Sequence, residues 1–193
     1  MRIGIVTGST RPGRLNESVA RWVLDVAAER DDADYELVDI ADYNLPLLDE
    51  PIPPSLHRYT HEHTKRWAAR IAMYDGFVFV VPEYNHGIPG ALKNAIDFLN
   101  AEWNNKAAGF VSYGSMGGVR AVEHLRGVMA ELMVAGVRTQ VMLSVFTDFE
   151  NFSVFKPDPR HERGVHTMLD QVVAWSGALK TLRIERAAQS VAA

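Results

Sequence analysis

Two arginines, two hydroxyls and two glycines crowd residues 8–14, near the start of the chain. Residues 2–16 read Arg2-Ile3-Gly4-Ile5-Val6-Thr7-Gly8-Ser9-Thr10-Arg11-Pro12-Gly13-Arg14-Leu15-Asn16. An apolar run enters a polar turn, and helical periodicity follows at once. That arrangement aims backbone N–H groups and a helix N-terminus at one point, which attracts a phosphate. Ser9 and Thr10 add hydroxyl donors, while Arg11 and Arg14 add N–H forks that match phosphate oxygens. Gly8 and Gly13 have the G-x-x-x-x-G spacing of a P-loop, but Arg14 and Leu15 stand where that motif needs lysine and a hydroxyl. The dinucleotide pattern G-x-G-x-x-G does not occur in this stretch.

Two later stretches have a related character. Pro82-Glu83-Tyr84-Asn85-His86-Gly87-Ile88-Pro89-Gly90 carries two prolines and two glycines, which impose a backbone course. Such a loop can lay peptide groups flat beside a planar ring, with Tyr84 for stacking and Asn85 as a donor–acceptor pair. Gly114-Ser115-Met116-Gly117-Gly118 exposes successive N–H groups ahead of a helix, and these suit the carbonyl edge of a flavin. Ser115 does not fit a G-x-S-x-G nucleophile, because Tyr113 stands two residues before it. Glu83 and His86 are conceivable proton-transfer groups, but backbone positioning in a rigid loop accounts better for Glu83, and a surface loop histidine accounts equally for His86. His57 and His61 are four apart on an expected helix, and His63 falls on another face, so no metal site is assigned. No catalytic side chain is assigned.

The elements that would position these loops alternate along the chain. Strands are expected at 2–8, 35–40, 76–81, 106–113 and 137–143, and helices at 55–74, 90–103, 119–134 and 163–186. The first helix begins near Asn16, read as its cap, with Val19, Trp22, Val23, Val26 and Ala27 inward. The run Gly76–Val81 lacks polar alternation, as strands buried on both faces do. Residues 42–54 form a proline-rich loop, and residues 144–159 an irregular stretch with Phe146, Phe149, Phe152 and Phe155. The reading is one α/β domain over residues 1–186, a doubly wound five-stranded parallel sheet in the order 2-1-3-4-5, then a frayed tail over 187–193. In that order the loops after strands one, three and four lie side by side.

Composition limits the partners. The 193 residues carry a formal net charge of −4 and 47% hydrophobic residues, so a nucleic-acid partner is not expected. Cysteine does not occur, which excludes disulfides and thiolate chemistry. No signal segment and no membrane-spanning run is read, and a cytoplasmic protein is expected.

Four motifs in order carry a resemblance: 8–14, Pro82–Gly87, Ala91-Leu92-Lys93-Asn94-Ala95-Ile96-Asp97, and Ser112–Gly118. Together they resemble the NADPH-dependent FMN reductase family, which includes quinone, azo-dye and chromate reductases of flavodoxin-like fold. The resemblance implies FMN and NADPH as cofactors, with hydride passing from nicotinamide to FMN and then to a quinone, azo compound, metal oxyanion or free flavin. It implies that Ser9, Arg11 and the helix start near Asn16 bind the FMN phosphate, with Thr10 and Arg14 nearby. Pro82, Glu83, Tyr84 and Asn85 would lie along the isoalloxazine, and Tyr113, Gly114, Ser115 and Gly118 at its pyrimidine end or ribityl chain. It also implies a homodimer or homotetramer built on helices 90–103 and 119–134. A non-enzymatic flavin-binding electron carrier or regulator, and a nucleotide-binding protein, are the alternatives.

Overall fold

Five parallel strands carry the molecule. The computed structural model describes the backbone of residues 1–192 and the side chains of residues 1–185. Strands β1 (Arg2–Thr7), β2 (Asp34–Val38), β3 (Gly76–Pro82), β4 (Lys106–Gly114) and β5 (Val134–Ser144) pair in the order β2-β1-β3-β4-β5. This is the order expected from the sequence. Every residue of β3 is buried, so the sheet needs cover on both faces.

Alternate side chains of β3 show how the cover is divided. Phe77, Phe79 and Val81 join the core beneath α2 (Glu62–Ala72), α3 (Gly90–Asp97) and α4 (Val119–Glu131). Val78 and Val80 join the core beneath α1 (Asn16–Ala27) and α5 (Arg160–Ala192). Thr7 pairs with Val80, Pro82 with Tyr113, and Gly114 with Ser144. The exits of β1, β3, β4 and β5 therefore share one rim.

Several boundaries differ from the sequence reading. The helix expected over 55–74 starts only at Glu62, and Pro54–Leu56 form a single 3-10 turn. His57 then takes a left-handed φ of 52°, and the start of α2 is fixed from a distance. The Glu50 carboxylate accepts from Thr60 N (2.9 Å) and His61 N (3.0 Å). His57 and His61 thus share no helix. Helix α3 ends at Asp97 rather than near 103, and α4 at Glu131 rather than 134. Strand β5 starts three residues early, because Asn105 N bonds Met133 O (2.9 Å) and Val134 already pairs with Lys106. The stretch after β5 is not wholly irregular, since β6 (Phe149–Glu150) and β7 (Val154–Phe155) make a small antiparallel hairpin. The last helix runs through Ala192, over most of the expected frayed tail, as its alanines favour. Residue 193 lies outside the described residues.

At the rim opposite the three loops, Lys106 is 3% exposed. Its Nζ donates to Ile71 O (2.9 Å) and lies 5.3 Å from the Phe77 ring centroid. Burial pushes its pKa down to about 7. The unfolded chain, with lysine near its ordinary value of about 10.4, binds more protons above pH 7, so stability contributed here rises with pH from about 7 toward 10. Lys106→Met keeps the apolar stem and removes the charge. Urea unfolding at pH 7 and pH 9.5 should give the variant a flatter pH slope than the parent, with a gain of roughly 1–2 kcal/mol at pH 7. Equal slopes would count against the buried ammonium.

Candidate active site

The turn after β1 is fastened by Asn16. The residue is fully buried, and it does not cap α1 as expected: Leu15 holds the cap position, with no side-chain bond. Asn16 Oδ1 instead accepts from Gly8 N (2.8 Å) and Ser9 N (3.3 Å), and its Nδ2 donates to Val80 O (2.9 Å). One amide ties the first loop to the neighbouring strand. Ser9, also buried, accepts from Arg11 N at 3.2 Å and shares a 2.9 Å bond with the Tyr84 hydroxyl. The first and third exit loops are thereby linked.

The two arginines of the first loop have different fates. Arg14 is paired with Asp39, just past β2, and both side chains are mostly buried. Arg11 is exposed and makes no ion pair among the described residues. Its guanidinium is the free cation of this loop. Thr10 lines a neighbouring hollow with Ile40, Asn44 and Asn94 rather than the cleft described below.

The loop after β3 is a tight hairpin turn. Tyr84 and Gly87 exchange both backbone bonds, each 3.0 Å, across Asn85 (φ 50°) and His86 (φ 68°). Two left-handed residues in succession make the mirror-image turn that twisted strands prefer, at some strain for histidine. This turn carries Asn85 outward, so it is exposed and does not line the cleft. Glu83 points to α4, where its carboxylate accepts from Arg120 Nε (2.6 Å) and Arg120 N (3.2 Å). Arg120 Nη1 lies 2.8 Å from His86 Nε2. Burial raises the Glu83 pKa, but the guanidinium and the amides of α4 outweigh it and hold the carboxyl below its ordinary range. Glu83 is a helix-terminal anion and not a proton donor near neutral pH.

The loop after β4 is held by its glycines and by Ser112, whose Oγ donates to Gly117 O (2.6 Å). Gly118 has φ 71°, and a Cβ there would meet Ser112 Cβ at 2.8 Å and Tyr113 N at 2.9 Å. Only glycine fits, so Gly118 shapes the loop rather than lining the cleft. Ser115 also stays out of it. Glu83 N donates to Tyr113 O (3.0 Å), which joins the third and fourth exit loops. Burial pushes the Tyr113 phenol up, so it remains a neutral hydroxyl.

Between the loops lies a cleft of about 350 Å³. Arg11, Gly13, Arg14 and Leu15 form one side, Pro82, Glu83 and Tyr84 another, and Tyr113 and Gly114 a third. Val145, Phe152 and Ser153 complete it, and sequence reasoning assigned none of these three to the site. The only signal was the run of phenylalanines from 146 to 155. Among the described residues no cluster of His, Asp and Glu is arranged to hold a metal.

This rim is where doubly wound sheets take ligands, at the reversal of strand order between β1 and β3. Residues 1–148 match the model of the family described as NADPH-dependent FMN reductase. The chain belongs to that family. It is an oxidoreductase of a family that uses FMN and NAD(P)H. An NAD(P)H-dependent FMN reductase of Nectria sp, ntnL, is 42% identical over 159 residues, 79% of either chain. A quinone reductase of Escherichia coli K12 is 33% identical over 138 residues, covering 68% of this chain and 71% of its own. The NAD(P)H:(acceptor) oxidoreductase FerB of Paracoccus denitrificans shares the fold, with a TM-score of 0.71 at 21% identity over 92% of this chain and 97% of its own. No helix among the described residues is long and apolar enough to cross a membrane.

The residues present suit the cofactor of an FMN reductase. The unpaired Arg11 gives the cleft a cation that an anionic tail could use, and a cleft of about 350 Å³ is within the range of small-molecule sites. The tight loop at Gly118 brings backbone close to the cleft wall at Tyr113 and Gly114.

Proposed function

We propose that this FMN reductase holds the FMN phosphate on Arg11 and the turn over residues 9–16, and the flat ring along Pro82–Tyr84 and Tyr113–Gly114. The observation that carries this reading is the pairing of Arg14 with Asp39 beside an unpaired Arg11 in one cleft. Ser9 and Asn16 act from behind by fixing the turn. Asn85, Ser115 and Gly118 set the backbone of their loops. FMN, when bound, would supply two-electron redox chemistry between a nicotinamide and an acceptor. The chain contributes position: Tyr84 and Tyr113 line the cleft, and the Glu83–Arg120 pair fixes the loop that carries Tyr84. Quinones are the acceptor class we favour, supported by relatives named as quinone reductases.

We also propose a homodimer or homotetramer on α3 and α4. An apolar hollow of about 660 Å³ opens there, with Leu99, Val128 and Leu132 in its lining.

Arg11→Ala should weaken FMN binding by about 1.5–3 kcal/mol, the worth of a charge-assisted contact to phosphate. Flavin fluorescence quenching on the apoprotein measures it. Riboflavin, which lacks the phosphate, should bind parent and variant equally. Unchanged FMN affinity would remove Arg11 from the phosphate site. A colourless protein that binds ATP and not FMN would overturn the whole reading.

A further inference from the structure

The hairpin after β5 sorts its four phenylalanines by direction. Phe149 and Phe155 are the inner pair. Phe149 lies 5.6 Å from the Tyr113 ring and 5.1 Å from Phe155, which lies 5.6 Å from Trp22 on α1. Phe146 and Phe152 are the outer pair, 65% and 64% exposed, with rings edge to face at 5.8 Å. Phe152 is also part of the cleft lining. An aromatic face this exposed, beside a cleft read as the seat of a flat ring, can stack a second flat ring.

The backbone supports a positional role. Asn151 and Phe152 have φ of 49° and 55°, both left-handed. A bulky residue there is strained, and strain persists only where the surroundings enforce it. Asp148 fastens the base of the hairpin, accepting from Ser144 N (2.8 Å) and from Asp158 N (3.2 Å). The match to the family ends at residue 148, one residue before the hairpin strands begin. The part of the cleft that the hairpin builds thus lies beyond the matched region.

We infer that Phe152, with Phe146 at its edge, is the residue by which this chain selects flat conjugated acceptors: a ring of the quinone class stacks against it at the outer wall of the cleft. The inference rests on the reading of the cleft as the FMN site. It concerns specificity, since the acceptor's ring area over Phe152 decides how well it is held, and no bond forms or breaks at Phe152.

The test is equilibrium binding. 1,4-Naphthoquinone and 1,4-benzoquinone are titrated into the oxidised holoenzyme without NAD(P)H, so no turnover occurs, and binding is read from the flavin absorption. Phe152→Ala should weaken naphthoquinone by about three- to tenfold and benzoquinone by less, because stacking scales with ring area. Phe152→Gly should show the same loss while raising the urea midpoint, because glycine accepts the left-handed φ without strain. A residue with only a structural role would not lose quinone affinity while gaining stability. The inference is overturned if naphthoquinone binds both variants as it binds the parent. It is also overturned if FMN itself is weakened by the same factor, since the wall then belongs to the cofactor. Failure of the parent protein to bind FMN overturns the cofactor reading and this inference together, and is seen before any variant is made.

Discussion

Asn16→Ala is expected to lower the stability of the fold by about 2–4 kcal/mol and to weaken FMN binding about tenfold or more. The side chain is fully buried and makes three bonds to backbone, to Gly8 N, Ser9 N and Val80 O. Gly8 N and Val80 O also bond each other at 2.8 Å, so truncation does not orphan them. Ser9 N loses its partner, and the amide-sized space is left empty. The binding loss follows from the stability loss, because Ser9 positions Arg11 N and meets Tyr84. Asn16→Asp separates the two effects. It keeps the acceptor for Gly8 and Ser9 but sets a second carboxylate oxygen against Val80 O. It also adds negative charge beneath the proposed phosphate site, so FMN affinity should suffer more than stability does. Urea unfolding of the apoprotein and an FMN titration measure both. A stability within about 0.5 kcal/mol of the parent for Asn16→Ala would show that the three bonds carry no weight.

The sheet class was legible because β3 is apolar without alternation, as strands covered on both faces are. The strand order was legible from where the polar, glycine-bearing loops fell. The boundaries that differed are those set by partners far along the chain. The periodicity of Trp67, Ala68 and Ile71 is real, but the start of α2 depends on Glu50, ten residues before the Thr60 it binds. Arg11 and Arg14 look equivalent in sequence, and what distinguishes them is Asp39, 25 residues from Arg14. Glu83 likewise looks like a loop carboxylate until Arg120, 37 residues on, turns it toward α4. Asn85 was read as a ring contact because its type suits one; the structure places it exposed in a left-handed turn. Phenylalanines spaced by three match neither a strand nor a helix period, so residues 144–158 gave no sign of their hairpin.

Asp148→Ala should have the largest effect, about 3–5 kcal/mol, because it removes the centre on which that hairpin is hung. Asp148 is 1% exposed. One carboxylate oxygen accepts from Ser144 N (2.8 Å) and Thr147 Oγ1 (3.1 Å), the other from Asp158 N (3.2 Å), with His161 Nε2 at 3.0 Å. Alanine takes the acceptor from the Ser144 and Asp158 amides and leaves a void beside them. Asp148→Asn can serve only one of the two donor sets, since its NH2 group then meets donors, and an intermediate loss is expected. The pH dependence follows from the same geometry. Burial raises the Asp148 pKa, but the amides of Asp158 and Ser144 and the neighbouring His161 outweigh it, so the folded value lies below the ordinary one. A lowered folded pKa contributes stability that is present above about pH 4 and is lost as pH falls through the folded value. The parent should therefore shed this part of its stability in acid, and Asp148→Ala, having none to shed, should converge on it at the lowest pH. Urea unfolding between pH 2 and 7 reads the convergence, and near-UV circular dichroism at pH 7 reads the release of Phe149 from Tyr113 and Phe155 from Trp22. Parallel stability curves for parent and variant across that range would mean that the Asp148 charge does not hold the hairpin in place.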